Sequence, residues 1–429
     1  MRKFIYCLLI VMINIVFLTG CSTGTDDSAK ASDDGKIHLT YWYAWQDKIA
    51  ENNIERIKEF NETIGKENNI VVTAEYQGSY DDLHAKLQSA FVANEEPDVT
   101  VMEIASIKPF ADGGMIQSLD NDFAKDDVAD FYPGLMENCY VNDKLYGIPY
   151  LRSTPVLYYN KTLFEKAGIN AQTGPKTWAE LKDDSIKLGA LGIKGFGFVS
   201  DVWHYEALLR SNSGDTIDVA SNKILFNNDK GVELAEFLRD GIKNGNFKYY
   251  NGTAGSAQDA ITADEVNQKI GMWIASTADL SKTLEFASQN GYEVGTSFIP
   301  MNTQNKVPTG GCNLVMTSRV SGAKRDAAIK LIKFMTNKDS VVKNHIKTGY
   351  LLTRQSVIND DRIQKLYATT PQYKVALDQL KYGSGRPMLQ GYKEISKLYS
   401  EGMDKIMTTD ISIKDTLNDI ANKCSNLLK

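Results

Sequence analysis

The residues in this chain best equipped for chemistry are aromatic and hydroxyl-bearing rather than nucleophilic. There are 21 tyrosines and 5 tryptophans, grouped locally at Tyr41 to Trp45, Tyr146 to Tyr159 and Trp203 to Tyr205. A sugar or polyol has an apolar face that stacks on such rings, and its hydroxyls need donors and acceptors from nearby Asp, Glu, Ser and Arg. Packing within cores accounts for most aromatic residues, so the grouping alone selects no single ring. One stretch, GIPYLRSTPVLYYNK at 147–161, places Arg152, Ser153 and Thr154 in the middle of an otherwise apolar, aromatic strand. Catalytic spacing is missing: there is no GxSxG elbow, HExxH, Walker A loop or GxGxxG. His38, His84, His204 and His345 are scattered, without a second ligand at metal-site spacing, so neither metal nor cofactor is expected. Paired carboxylates of the kind that cleave glycosides stay open, because 54 acidic residues offer many pairs. The pattern favours binding over turnover.

The chain begins with Arg2 and Lys3, runs apolar from Phe4 to Leu18, and meets LTGC at 18–21. A basic start and a short apolar run read as a secretory signal over 1–20. Cleavage before Cys21 leaves a cysteine free to carry lipid. Residues 21–36 hold no apolar side chain larger than alanine until the end and read as a flexible tether. The body is then extracytoplasmic and anchored to a bacterial membrane through Cys21. Residues 1–20 contain two basic and no acidic residues, so without them the net charge of −6 becomes −8. That excess argues against nucleic acid and against a surface lying on anionic lipid. Beyond Cys7 and Cys21, the cysteines are Cys139, Cys312 and Cys424, far apart and without a CxxC pair, allowing one disulfide at most.

About 390 remaining residues predict two domains. Ile37, Leu39, Tyr41, Tyr43 and Trp45 alternate as a strand does, and Ile49, Ile54, Ile57 and Phe60 follow at helical spacing. NNIVVTAEY reads as a strand, Leu83, Leu87, Ala90 and Phe91 as a helix face, and PDVTVMEI as a third strand. Strand, helix, strand, helix, strand implies a parallel sheet covered on both faces. A second series starts at 147–161; Thr177 and Glu180 have capping-box spacing, which starts a helix at Trp178. QKIGMWIAS and YEVGTSFIP read as strands, KRDAAIKLIKFM as a helix, and the chain beyond Lys338 as mostly helical.

STPVLYYNK, PKTW, TGGCNLVM, TGYL and GYKEIS, in this order behind the lipobox-like LTGC, resemble family 1 extracellular solute-binding proteins, the receptors of ABC importers for carbohydrates and related solutes. The resemblance covers 37–429 and runs nearest to the glycerol-3-phosphate-binding branch. It implies an α/β, two-lobed periplasmic-binding-protein-like (type II) fold with a helical C-terminal part. The N-lobe would take 37–150 plus 277–335, and the C-lobe 151–276 plus 336–429. It further implies a non-enzymatic, monomeric receptor that closes on a small solute and docks on permease subunits. Matched by motif, the ligand contacts are Tyr80, Glu103, Ser153, Ser276, Gly311 and Tyr350, with Trp203 matching a ring that lines the cleft. Where that branch carries an arginine, this chain has Ser396, which weakens the case for an anionic ligand; Arg152 and Arg386 are the candidates to replace its charge. Glycerol 3-phosphate or a glycerophosphodiester is the most specific expectation and a neutral oligosaccharide the alternative. A secreted glycoside hydrolase or an adhesin would be the rivals from other classes.

Overall fold

The computed structural model describes residues 34–252 and 254–428. The signal segment, Cys21 and nearly all of the tether lie outside them. Ten strands carry the architecture: β1 (Ile37–Tyr43), β2 (Ile70–Tyr76), β3 (Val99–Glu103), β4 (Ile148–Ser153), β5 (Pro155–Asn160), β6 (Lys194–Val199), β7 (Phe247–Tyr250), β8 (Ile270–Ser276), β9 (Val294–Ser297) and β10 (Gly310–Met316). They form two five-stranded sheets, ordered β2-β1-β3-β10-β4 and β7-β6-β8-β5-β9.

The first three strands are parallel, as their alternation with helices requires. β10, from late in the chain, then inserts antiparallel between β3 and β4. The second sheet repeats the plan: β7, β6 and β8 are parallel, and β5 and β9 add antiparallel pairs. Every residue of β4 and β5 is buried; β5 lies inside its sheet, whereas β4 is the last strand of the first sheet and runs into the junction between the two.

The chain passes from the first sheet to the second through the single residue Thr154. It returns between Ser297 and Gly310. Near the passage, Thr277 N donates to Thr154 O at 3.1 Å and Leu351 N to Arg152 O at 2.8 Å. The Gln379 side chain donates to Pro155 O at 2.7 Å and accepts from Ile299 N at 2.7 Å, tying the outward and return crossings together.

These positions move the lobe boundaries. β4 carries the first lobe to Ser153 rather than residue 150. β9, expected with the N-lobe, pairs with β5 in the second sheet, so the return to the first sheet comes after residue 297 instead of at 277. The helix Lys338–Thr348 packs on the helix Asp47–Phe60 of the first lobe as well as on its own neighbours. The C-terminal helices Tyr392–Thr408 and Ile413–Ser425 cover the second sheet beside the helix Asp229–Lys243.

Local expectations hold in most places. Trp178 opens its helix: Thr177 Oγ1 accepts from Glu180 N at 3.1 Å, and Glu180 Oε2 accepts from Lys176 N at 2.7 Å. One face is corrected. Ile54 is 49% exposed, while Asn52, Asn53 and Arg56 are buried with Ile57 and Phe60. Asn53 accepts from the hydroxyls of Tyr41 and Tyr150, each at 2.9 Å, so a polar network takes the inward face that spacing assigned to an isoleucine. Cys139, Cys312 and Cys424 are buried free thiols. No helix among the described residues is long and apolar enough to cross a membrane.

Candidate functional site

The site assembles where the carboxyl ends of the first sheet meet the second lobe. Glu103 ends β3, its Oε2 accepting from Ala105 N at 3.0 Å. Across the pairing lies Cys312, and one residue before it Gly311, at φ +83°. A Cβ at Gly311 would stand 2.0 Å from Leu151 O, so the bulge between β10 and β4 admits no side chain there. Ser153 pairs with Gly310. Tyr80 opens the helix Tyr80–Ala93, whose start is fixed by the reciprocal Ser79–Asp82 capping box. Tyr350 follows Gly349, the left-handed residue ending the helix Lys338–Thr348, and its carbonyl accepts from His345 Nδ1 at 2.6 Å. Burial pushes the Tyr80 and Tyr350 phenols well up, and the neighbouring Cys312 thiol pushes them further.

From the second lobe, Trp203 reaches over this edge. Its Nε1 donates to Thr309 O at 3.1 Å. A Cβ at Gly310 would lie 2.7 Å from the Trp203 ring and 3.0 Å from Ser153 Oγ. Tyr80, Glu103, Ser153, Gly311, Tyr350 and Trp203 therefore share one neighbourhood. Ser276 sits at the crossing, opposite Pro155: its hydroxyl caps the next turn through Ala278 N at 3.1 Å, and its carbonyl takes the Tyr158 hydroxyl at 2.6 Å.

The two candidate arginines part ways. Arg152 is fully buried and meets only neutral oxygens: Gly310 O at 2.9 Å, Leu135 O at 2.5 Å, Asn313 Oδ1 at 3.1 Å and Thr309 Oγ1 at 3.1 Å. It braces the Thr309–Gly311 segment from behind. Arg386 instead occupies the interlobe space. Its Nη1 lies 3.2 Å from Glu103 Oε1 in the first lobe, its Nε 2.9 Å from Glu206 Oε2 in the second, and its Nη2 donates to Tyr392 Oη at 2.9 Å. The Tyr392 hydroxyl donates to the other oxygen of Glu206. Burial opposes the guanidinium charge, but Glu206 and Glu103 outweigh it, so its pKa stays well above the usual range. Burial raises Glu103 while Arg386 pulls it back.

The backbone around Arg386 is held by Asn138, which accepts from Arg386 N and donates to Arg386 O, each at 2.9 Å. A cavity of about 270 Å³ opens beside it, lined by Asn138, Arg210, Ile217 and Gly385 among others. Ser396 lies one turn beyond Tyr392 on the same helix, its Oγ buried without a hydrogen-bond partner.

Glu206 and Tyr392 were not singled out by the sequence. Glu206 had one signal, a lone carboxylate inside the apolar helix Val202–Ser211. The arrangement of two sheets, a multiply crossed junction and polar groups converging from both sides suits enclosure of a small solute. Within the described residues no group of three or more His, Cys, Asp or Glu could hold a metal ion.

A family profile described as bacterial extracellular solute-binding protein matches residues 55–371. The chain belongs to that family. Among curated relatives, this solute-binding protein is 25% identical over 385 residues to the sn-glycerol-3-phosphate-binding periplasmic protein UgpB of Yersinia enterocolitica, covering 83% of each chain. Among solved structures, the GacH receptor of Streptomyces glaucescens superposes with TM-score 0.81 at 19% identity, over 92% of this chain and 98% of that one. UgpB from Mycobacterium tuberculosis, solved with glycerophosphocholine, superposes with TM-score 0.80 at 23% identity and the same coverage. The matched family is one of binding proteins, not of enzymes, and its two-lobed fold is the one described above. Glu103 and Glu206, the two carboxylates flanking the interlobe space, hold Arg386 between them.

Proposed function

We propose that this protein is the lipid-anchored receptor of an ABC importer, attached through Cys21, which encloses a small carbohydrate-type solute between its lobes and presents the closed form to the permease. It acts as a monomer. The observation carrying the reading is Arg386, in contact with first-lobe Glu103 and second-lobe Glu206 at one point between the sheets. A solute bound there touches both lobes at once, with Tyr80, Glu103, Ser153, Gly311, Tyr350 and Trp203 around it and Ser276 at the crossing. The lobes are residues 37–153 with 310–335, and 155–297 with most of the C-terminal helices.

For the solute, the relatives named for glycerol 3-phosphate and the neighbour holding glycerophosphocholine support a glycerophosphate-type ligand. One observation favours a neutral sugar as the second reading. Arg386 has two carboxylates already in contact, so its charge is matched before any phosphate arrives. Thermal shift and calorimetry with sn-glycerol 3-phosphate, glycerophosphocholine, maltose and maltotriose test both readings. Ligand at a hundred times Kd stabilises by about 2.7 kcal/mol. Stabilisation by the phosphates alone selects the first reading, by the sugars alone the second. If none of the four shifts the melting curve, the carbohydrate-type assignment is wrong.

A further inference from the structure

Trp45 lies two residues beyond β1, within the aromatic group that backs the site. Its ring stacks on Tyr43 at 6.5 Å and meets Tyr150 at 6.3 Å and, edge-on, Tyr80 at 6.0 Å. Other hydroxyls and indoles around it are bonded: Tyr41 and Tyr150 both donate to Asn53. Trp42 donates its Nε1 to Glu75 at 2.8 Å, and Trp203 donates to Thr309 O. Trp45 Nε1 and Tyr80 Oη are different. Both are buried, and neither has a hydrogen-bond partner. Trp45 itself is 8% exposed.

An indole N–H can only donate, and a buried donor without an acceptor is costly. Two such donors sit side by side, both facing the Tyr350 hydroxyl, close enough to ease its ionisation by hydrogen bonding though neither makes a full bond to it. The indole N–H lies near the Tyr80 hydroxyl as well, but makes no full bond to it. What the place lacks is one acceptor that takes both donors at full hydrogen-bond geometry.

We propose that Trp45 and Tyr80 form a subsite for a single acceptor oxygen of the solute, the indole N–H and the phenol hydroxyl both donating to it. Trp45 is thereby a ligand-contacting residue in its own right. The chemistry fits a sugar hydroxyl, a ring or glycosidic ether, or a phosphoryl oxygen, all of which offer lone pairs. A carboxamide or ammonium donor in that position would leave both groups unpaired. The inference rests on the receptor reading and extends it to a specific atom of the ligand.

Trp45→Phe tests it, because the ring stays while the donor goes. For each of glycerophosphocholine, sn-glycerol 3-phosphate, maltose and maltotriose that the unmodified protein binds, calorimetry should show affinity reduced by about tenfold in Trp45→Phe, and similarly in Tyr80→Phe. Loss for the sugars points to a hydroxyl or ether oxygen in the subsite, and loss for the phosphates to a phosphoryl or glycerol oxygen. The melting temperature of unliganded Trp45→Phe should equal or exceed that of the unmodified protein, since the deleted N–H has no partner. A lowered unliganded melting temperature would mean that the N–H is bonded within the fold, and would overturn the proposal. So would unchanged affinity for a probe that binds. If no probe binds the unmodified protein, it is the carbohydrate-type assignment that fails, and the unliganded comparison still decides whether Trp45 carries a free donor.

Discussion

Glu265, in the helix Ala254–Val266, is only 4% exposed, and burial together with the charge of Asp279 pushes its carboxyl from the ordinary 4.5 to about 8. Asp279, partly buried in the turn after β8, is itself raised by desolvation to about 6, partly offset by Lys282. Between pH 4.5 and 8 the folded protein keeps a proton on Glu265 that the unfolded chain has released. The folded state therefore binds more protons across that window, and stability falls as pH rises. At about 1.4 kcal/mol for each unit of pKa, the 4.5-to-8 displacement is worth about 5 kcal/mol once pH exceeds 8. Spread over about 390 residues at about 2 cal/mol/K each, that loss lowers the melting temperature by about 6 °C. Glu265→Gln holds the side chain neutral and removes its share of the slope: the variant should match the unmodified protein near pH 4.5 and exceed it by several degrees at pH 8. Calorimetric scans of both proteins from pH 4.5 to 8.5 are the assay. A melting temperature that is flat or rises with pH in the unmodified protein, or an equal decline in both, would refute the reasoning.

Three further outcomes follow from the site. Glu206→Gln removes one of the two charges facing Arg386 and should raise affinity for glycerophosphocholine or glycerol 3-phosphate relative to maltose by about tenfold; calorimetry at two salt concentrations shows it, and an unchanged ratio would mean that Arg386 does not set the charge preference. Gly311→Ala places a methyl 2.0 Å from Leu151 O at a positive φ, so the melting temperature should fall by the equivalent of about 3 kcal/mol or more. Arg152→Lys cannot reach four separate oxygens from one ammonium, and urea unfolding should show a loss of about 3 kcal/mol that salt does not relieve, because no carboxylate shares those bonds.

Strands and helix starts were legible because their signals are local. Alternation in β1 from Ile37 to Tyr43 and the Thr177–Glu180 box depend on residues a few positions apart. The insertion of β10 between β3 and β4, and the placing of β9 in the second sheet, depend on which edges are free after distant parts have folded, and no period records that. Ile54 misled because spacing alone suits either side of the helix, and Asn53 claimed the inward side by bonding Tyr41 and Tyr150. The neighbourhood of Tyr80, Glu103, Gly311 and Tyr350 came from resemblance by motif. The Arg386–Glu206 contact joins residues 180 positions apart, and neither residue has a spacing that announces the other. Arg152 was visible as an oddity within GIPYLRSTPVLYYNK, but only its buried acceptors reveal it as a brace.

The late insertion of β10 also sets an order of construction. As the chain emerges from the N-terminus, all five strands of the second sheet are present by Ser297, whereas the first sheet still lacks its fourth neighbour until Met316. Until then β3 shows an open edge and β4 has no sheet partner, so the sheet that begins first is completed last. A partly synthesised or partly exported chain thus carries an unpaired, apolar strand edge, the kind of surface that chaperones shield and that aggregates when they do not.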